Sequence, residues 1–281
     1  MRTRVPRIDT LNYRHAFHAG NFADLVKHAA LLQVLARGGA GPLTVIDTHA
    51  GRGLYDLAGV EARKSGEADA GIVRLMAAAD APAAFAPLTA RVKALNPPGA
   101  VRRYPGSPWL IAEAMGPEDS YIACELRPDE HAALHELMRG RHNVTTLCAD
   151  GYAAAAARTP ATGRALVLID PPFERADDYH QIALTLAAVR RRNPHAQALV
   201  WLPLKDLETF DGFLRDLEDA IEAQALVAET RMRPLTDPMK MNGCALVLLG
   251  APDGLAGDLE TLCGWTARTL GESGTARIYA I

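Results

Sequence analysis

The sequence predicts an α/β protein built on a mostly parallel seven-stranded sheet with helices on both faces. Three observations lead there. Short apolar runs rich in Val, Leu and Ile alternate with longer stretches of helical periodicity, the mark of strands buried on both faces between crossover helices. The first four runs each end in or just before an acidic residue, Asp47, Glu125, Asp150 and Asp170, as expected where strands deliver functional groups to one sheet edge. The last two runs follow each other with no helix between them, so they close the sheet as an antiparallel hairpin.

Taken in order, strands are predicted near 43–47, 120–125, 144–148, 165–170, 197–202, 225–232 and 243–249. Helices are predicted near 22–37, 107–116, 128–139, 151–158, 178–192, 206–222 and 256–270. Residues 54–104 separate the first strand from the second, are rich in Ala and Pro and lack a β-branched run. They predict a small inserted helical subdomain, with residues 1–53 and 105–281 forming the main domain and 1–12 an N-terminal arm. The alanine stretches at 77–86 and 153–157 reflect helix propensity.

Composition narrows the class. At 281 residues and 49% hydrophobic, the chain has core enough for one large domain, with or without an insertion. It shows no apolar run of membrane-spanning length and no signal sequence, which predicts a cytoplasmic protein without membrane contact. Cys124, Cys148, Cys244 and Cys263 form no Cys-x-x-Cys pair and are expected as buried, reduced thiols. A formal charge of −3 argues against indiscriminate coating of nucleic acid. Residues 1–28 nevertheless carry Arg2, Arg4, Arg7, Arg14 and Lys27 against Asp9 and Asp24, a basic arm that can follow a phosphate backbone or be simply solvated.

The first strand ends at Asp47-Thr48-His49-Ala50-Gly51-Arg52-Gly53. Its glycines let the backbone turn sharply and approach a ligand at the carboxyl edge of the sheet. Glu125, ending the second strand, can accept both hydroxyls of a ribose. Asp150-Gly151 ends the third: the carboxylate can receive the amine of an adenine moiety while glycine leaves room for its ring. A helix cap is the competing role for Asp150. Residues 166–173 read Leu-Val-Leu-Ile-Asp-Pro-Pro-Phe, an apolar strand ending at a carboxylate, two prolines and an aromatic ring. The lone pair of an adenine amine is delocalised into its ring. Asp170, with the Pro171 carbonyl, can hydrogen-bond both amine hydrogens and draw the nitrogen toward a tetrahedral shape. Pro171 and Pro172 fix the backbone, and Phe173 can stack on an extruded base. The plainer alternative is that Asp-Pro-Pro merely ends a strand.

Glu125 follows Gly53 by about 70 residues, against about 20 in dinucleotide-binding folds, so a nicotinamide cofactor fits poorly. S-adenosyl-L-methionine fits better, with Asp47 near its amino acid end. Methyl transfer would be an in-line displacement resting on alignment and electrostatics.

The stretch from Tyr13 to His28, Tyr-Arg-His-Ala-Phe-His-Ala-Gly-Asn-Phe-Ala-Asp-Leu-Val-Lys-His, closely resembles the amino-terminal signature of the RlmJ family. The resemblance continues through Asp47-Thr48-His49-Ala50-Gly51, Tyr104-Pro105-Gly106-Ser107-Pro108, Asp150-Gly151 and Asp170-Pro171-Pro172, covering nearly the whole chain. It implies a Rossmann-like class I S-adenosylmethionine-dependent methyltransferase that modifies an adenine N6 in 23S rRNA, the adenine-2030 type site. The implied substrate is RNA free of ribosomal protein, with no obligate protein partner. Carried over by resemblance, cofactor contacts fall on His28, His49, Ser107, Glu125, Asp150 and Gly151, and the catalytic acid on Asp170. Tyr13 and Lys27 match positions that approach the target base and the cofactor's methionine end. The chain departs from the family at Phe173, where tyrosine is usual, keeping the stack and losing a phenolic hydrogen bond.

His15, His18, His28 and His49 invite a metal reading, but none has the Glu-flanked helical spacing of a hydrolase and methyl transfer needs no metal. Arg190-Arg191-Arg192 is read as either a helix end favoured by the macrodipole or an RNA contact. Trp201-Leu202-Pro203, ending the fifth strand, is read as a wall of the base pocket or as core. With no coiled-coil heptads, a monomer is expected. Methylation of DNA adenine or a glutamine amide, and a noncatalytic RNA-binding module, are the rival functions.

Overall fold

The computed structural model describes residues 15–237 and 240–281. In chain order the elements are α1 (Phe22–Ala36), β1 (Leu43–Asp47), β2 (Leu54–Asp56), α2 (Val60–Ser65), α3 (Arg74–Ala77), α4 (Ala86–Ala94), β3 (Arg103–Pro105), α5 (Ser107–Ala114) and β4 (Ser120–Cys124). They continue with α6 (Pro128–Leu137), β5 (Val144–Leu147), α7 (Gly151–Arg158), β6 (Arg164–Ile169), α8 (Asp178–Arg192), β7 (Gln197–Leu204), α9 (Leu207–Ala220), β8 (Ala225–Arg231), β9 (Gly243–Leu249), α10 (Leu255–Leu270) and β10 (Thr275–Ala280).

The main sheet has eight strands in the order β10-β8-β9-β7-β6-β1-β4-β5. From β5 to β7 all neighbours are parallel, whereas β9 runs antiparallel to both β7 and β8. The expected seven strands become eight because β10 adds an antiparallel edge to β8. Its Thr-Ala-Arg-Ile-Tyr-Ala sequence lacks the continuous apolar run that marks a strand buried on both faces, and it sits half-exposed at the rim.

Alternation along each central strand divides the core. On β6, Leu166 and Leu168 join Leu25, Leu31, Leu110 and Leu262 on one face. Ala165, Val167 and Ile169 join Ile182, Leu186 and Phe213 on the other, as a two-residue side-chain period requires. Helix α1 is apolar almost all round, and twelve of its fifteen residues are buried. A helix of that kind must be covered on every side, and the segment between β1 and β4 supplies the outer cover through Ile72, Leu75, Phe85, Leu88 and Val92, which share one core with Leu25 and Leu31.

That segment is not purely helical. Besides α2, α3, α4 and a π-helical turn at Asp69–Val73, it is bounded by β2 and β3, which pair antiparallel from Leu54↔Pro105 to Asp56↔Arg103. Three-residue strands leave too little pattern to read from sequence. Cys124, Cys244 and Cys263 are buried as expected, but Cys148 is exposed. It lies just beyond β5, an edge strand with no fully buried residue. No helix among the described residues is long and apolar enough to cross a membrane.

Candidate active site

The carboxyl ends of β1, β4 and β6, with the segment after β5, open onto one cavity of about 490 Å³, at the edge where open α/β sheets bind ligands. Ligand sites typically occupy about 300–1,000 Å³. His28, His49, Gly51, Ser107, Glu125, Asp150, Gly151, Lys27, Asp170, Pro171, Pro172 and Phe173 all line it. The fold thus brings together groups from widely separated stretches of the chain. Tyr13 and the arm lie outside the described residues.

On the β1–β4 side the backbone turns tightly. Gly51 has φ +64°, which favours glycine, and its N–H donates to Glu125 Oε2 at 3.0 Å. The Arg127 N–H donates to Glu125 Oε1 at 2.7 Å. Burial pushes the Glu125 carboxyl up, while these two amides fix its orientation with lone pairs to spare for a diol. The Asp150 side chain caps α7, accepting from Ala153 N at 3.1 Å, so the capping role is real even though the residue also borders the cavity. At Gly151 a Cβ would strike the Thr48 backbone, so its bareness lets α7 pack against the β1 turn.

Asp47 is corrected outright: it does not line the cavity and is fully buried behind its wall. It accepts from Ser107 Oγ at 2.7 Å, Tyr121 OH at 3.2 Å and His49 N at 3.3 Å. Burial pushes its carboxyl up to about 6. Its hydrogen bonds hold Ser107 and the His49 turn in place.

His28 and His49 are neutral at physiological pH, because burial pushes them down to about 3 and about 4. His28 Nδ1 is hydrogen-bonded to Tyr104 OH at 2.8 Å. The Thr48 hydroxyl donates to Leu168 O at 3.0 Å. His49 Nδ1, 2.7 Å away, must therefore donate to that hydroxyl, which leaves His49 Nε2 as an acceptor. Among the described residues no group of three or more His, Cys, Asp or Glu converges on a point suited to a metal.

The amino-terminal signature resolves into a charge network. Asn21 caps α1 by accepting from Asp24 N at 3.0 Å. Asp24, 2% exposed, accepts from Gly20 N at 2.9 Å and meets His15 Nε2 at 3.0 Å and Lys27 Nζ at 2.9 Å. Burial pushes its carboxyl up, but neighbouring His15 and the Lys27 ammonium outweigh this and hold it well below the usual carboxylate range. Lys27 also donates to Asp170 Oδ2. Burial opposes its charge, yet the two carboxylates raise the ammonium above the ordinary lysine range. Lys27 borders the cavity, but its charge is committed to Asp24 and Asp170, whereas the resemblance implied the cofactor's methionine end. No local pattern announces this pairing, which joins positions 143 residues apart.

After Asp170 the prolines lead to Phe173, held at φ +53°. A left-handed aromatic residue carries about 1–3 kcal/mol of strain and persists only where packing dictates it. Here Tyr179 and Trp201 hold the ring, with centroids 5.0 and 5.8 Å away. Trp201 and Pro203 line the cavity, as the wall reading expected, and so do Tyr152, Arg175, Lys205 and Met241, which sequence did not single out. The Arg190–Arg192 cluster ends α8 at the opposite sheet edge, where Arg190 donates to Ala196 O at 3.1 Å and Arg192 to Thr159 O. Its helix-end role accounts for two of the three.

The family model for ribosomal RNA large subunit methyltransferase D, RlmJ, matches residues 40–280. The chain belongs to the RlmJ family. It is 32% identical over 269 residues to the ribosomal RNA large subunit methyltransferase J of Haemophilus influenzae and 30% identical over 268 residues to that of Escherichia coli K12. Each match covers 94% of this chain and 96% of the relative. A Legionella pneumophila protein of known crystal structure superposes with a TM-score of 0.83 at 27% identity, covering 94% of this chain and 98% of the other. As an RlmJ-family member the chain is a methyltransferase dependent on S-adenosylmethionine. Acceptors at Glu125, neutral histidines and the tight Gly51 turn suit an adenosine-bearing ligand.

Proposed function

We propose that the protein methylates the exocyclic N6 amine of one adenine in 23S rRNA, at the family's adenine-2030 type site, on RNA free of ribosomal protein. The observation that carries this reading is Asp170, set on the cavity wall at the end of β6, with Pro171, Pro172 and Phe173 beside it. The names of both methyltransferase J relatives add the large-subunit rRNA context.

S-adenosylmethionine, when bound, supplies the electrophilic methyl group. The chain contributes alignment and charge. Lys27 anchors Asp170 Oδ2, which leaves Oδ1 to accept one hydrogen of the amine, while the Pro171 carbonyl takes the other. With both hydrogens held, the nitrogen lone pair is turned out of conjugation toward the methyl carbon. The proton lost on transfer passes to Asp170 or water. Phe173 stacks on the base, a contact worth roughly 1–3 kcal/mol, and its rigid seat against Tyr179 and Trp201 fixes the plane. Asp47, Glu125, Asp150, His28, His49, Ser107, Gly51 and Gly151 shape the cofactor side, Asp47 from behind the wall. Tyr13 is assigned to the target base by resemblance.

The test is methyl transfer from labelled S-adenosylmethionine to protein-free 23S rRNA, with duplex DNA and a glutamine-bearing protein in parallel and the product mapped by mass spectrometry. N6-methyladenine at a single RNA position, lost in Asp170→Ala, is expected. Transfer to DNA or protein alone, or RNA modified at another atom, would sink the reading.

A further inference from the structure

Beyond Asp170 the sheet edge continues to the end of β7, and there lies a second cleft of about 230 Å³ between the starts of α8 and α9. Phe173, Arg175, Pro203 and Lys205 line both this cleft and the main cavity, so the two share a wall. Their order along the edge is directional. Glu125 and Asp150 lie toward β4 and β5, Asp170 ends β6, and the cleft, lined by the segments that follow β6 and β7, lies on the other side of Asp170 from them. A strand that presents one base to Asp170 from outside the cofactor side runs directly into it.

The cleft has the two components that single-stranded RNA needs, a ring and a cation. Tyr179 is a half-buried wall of the cleft, its ring braced by Phe173 at 5.0 Å and Phe213 at 5.8 Å. Lys205 is exposed, and no carboxylate lies within ion-pair distance of it among the described residues. Its neighbours are committed elsewhere. Arg175 is bidentate to Asp177, at 3.0 Å through each nitrogen, and also faces Asp150 and Asp178 at 3.8 and 4.0 Å. The Asp206 carboxylate caps α9, accepting from Thr209 N at 2.8 Å and Thr209 Oγ1 at 3.1 Å. The Lys205 backbone is itself pinned, since its carbonyl accepts from buried Asn242 at 2.9 Å.

We propose that this cleft receives the nucleotide next to the target adenine, its backbone phosphate on the Lys205 ammonium and its base against the Tyr179 ring. The proposal rests on the RNA-methylation reading above. It makes Lys205 and Tyr179 substrate-binding residues outside the cofactor site.

The probe is a short single-stranded RNA oligonucleotide with one adenine, titrated into the full chain saturated with S-adenosylhomocysteine over a range of salt. Loss of one phosphate contact lowers the slope of log affinity against log salt by about 0.7 on single strands. That change is expected for Lys205→Ala and is reversed in Lys205→Arg, with the kinetic loss in KM for RNA and not in kcat. An abasic nucleotide beside the adenine should weaken wild-type binding roughly 5- to 100-fold. An unchanged slope in Lys205→Ala, or an abasic neighbour bound as tightly as the intact strand, overturns the proposal. A Lys205-dependent slope without methyl transfer to adenine keeps the phosphate subsite and removes the adenine reading instead.

Discussion

The ends of β1 and β6 lie side by side in the sheet, Asp47 pairing in register with Leu168, and each delivers an aspartate to the same edge. Their fates are opposite. Asp47 is fully enclosed and answered by three donors, while Asp170 faces the cavity with one oxygen held by Lys27. The side chains that reach a strand-terminal carboxylate therefore decide whether it is structural or chemical. After Asp47 the chain turns through Thr48 and His49, and Ser107 from α5 and Tyr121 from β4 cover the acid. After Asp170 two prolines carry the chain to Phe173, and the acid stays open to the cavity.

The largest effect expected from this contrast is at Asp170. Asp170→Ala should lower kcat about 10²–10³-fold, with S-adenosylmethionine affinity by calorimetry little changed. A kcat within tenfold of wild type would erase the distinction between the two acids. Next comes the pH dependence of Asp47. Its folded pKa of about 6 lies above the ordinary value of 3.8, so its contribution favours the folded state fully below about pH 4 and is lost as pH rises through 6. Buried neutral His28 and His49 act the other way, destabilising the fold as pH drops below their ordinary value of 6.5. The Asp47 share is thus read as the difference between wild type and Asp47→Asn in denaturant unfolding. From pH 7 to 4 wild type should gain up to about 3 kcal/mol relative to the variant; parallel curves would show that Asp47 is not under strain. Gly151→Ala should cost about 1–3 kcal/mol by pushing α7 off the Thr48 backbone, again read by denaturant midpoint. The smallest effect belongs to Phe173→Tyr, which restores the residue usual in the family. Transfer to RNA should stay within about twofold, because Tyr179 and Trp201 already set the ring plane.

Local chemistry made much of this molecule legible in advance. Apolar runs marked the buried strands of the sheet, and Asp170-Pro171-Pro172-Phe173 carries its geometry in four consecutive residues. The features that stayed hidden depend on distant partners. Nothing near Lys27 announces Asp170, nothing near Asp47 announces Ser107 and Tyr121, and Gly151 is glycine because of Thr48, about 100 positions away. Strand β10 escaped because an exposed edge needs no apolar signature, and Lys205 because a surface lysine is distinguished only by the cleft it borders.

The short β2–β3 ladder gives the segment it closes an evolutionary freedom. Because residues 54–56 and 103–105 are hydrogen-bonded to each other, the polypeptide between them is a closed loop whose entropy grows only with the logarithm of its length, about 0.6 kcal/mol per doubling. Residues can be added at the exposed turns around Gly66 or Gly99, where a Cβ would meet nothing within 4 Å, without unseating the cover over α1. Length variation among relatives should accordingly gather at those turns and spare the ladder, so that the most insertable stretch of the chain hangs from one of its least deletable joints.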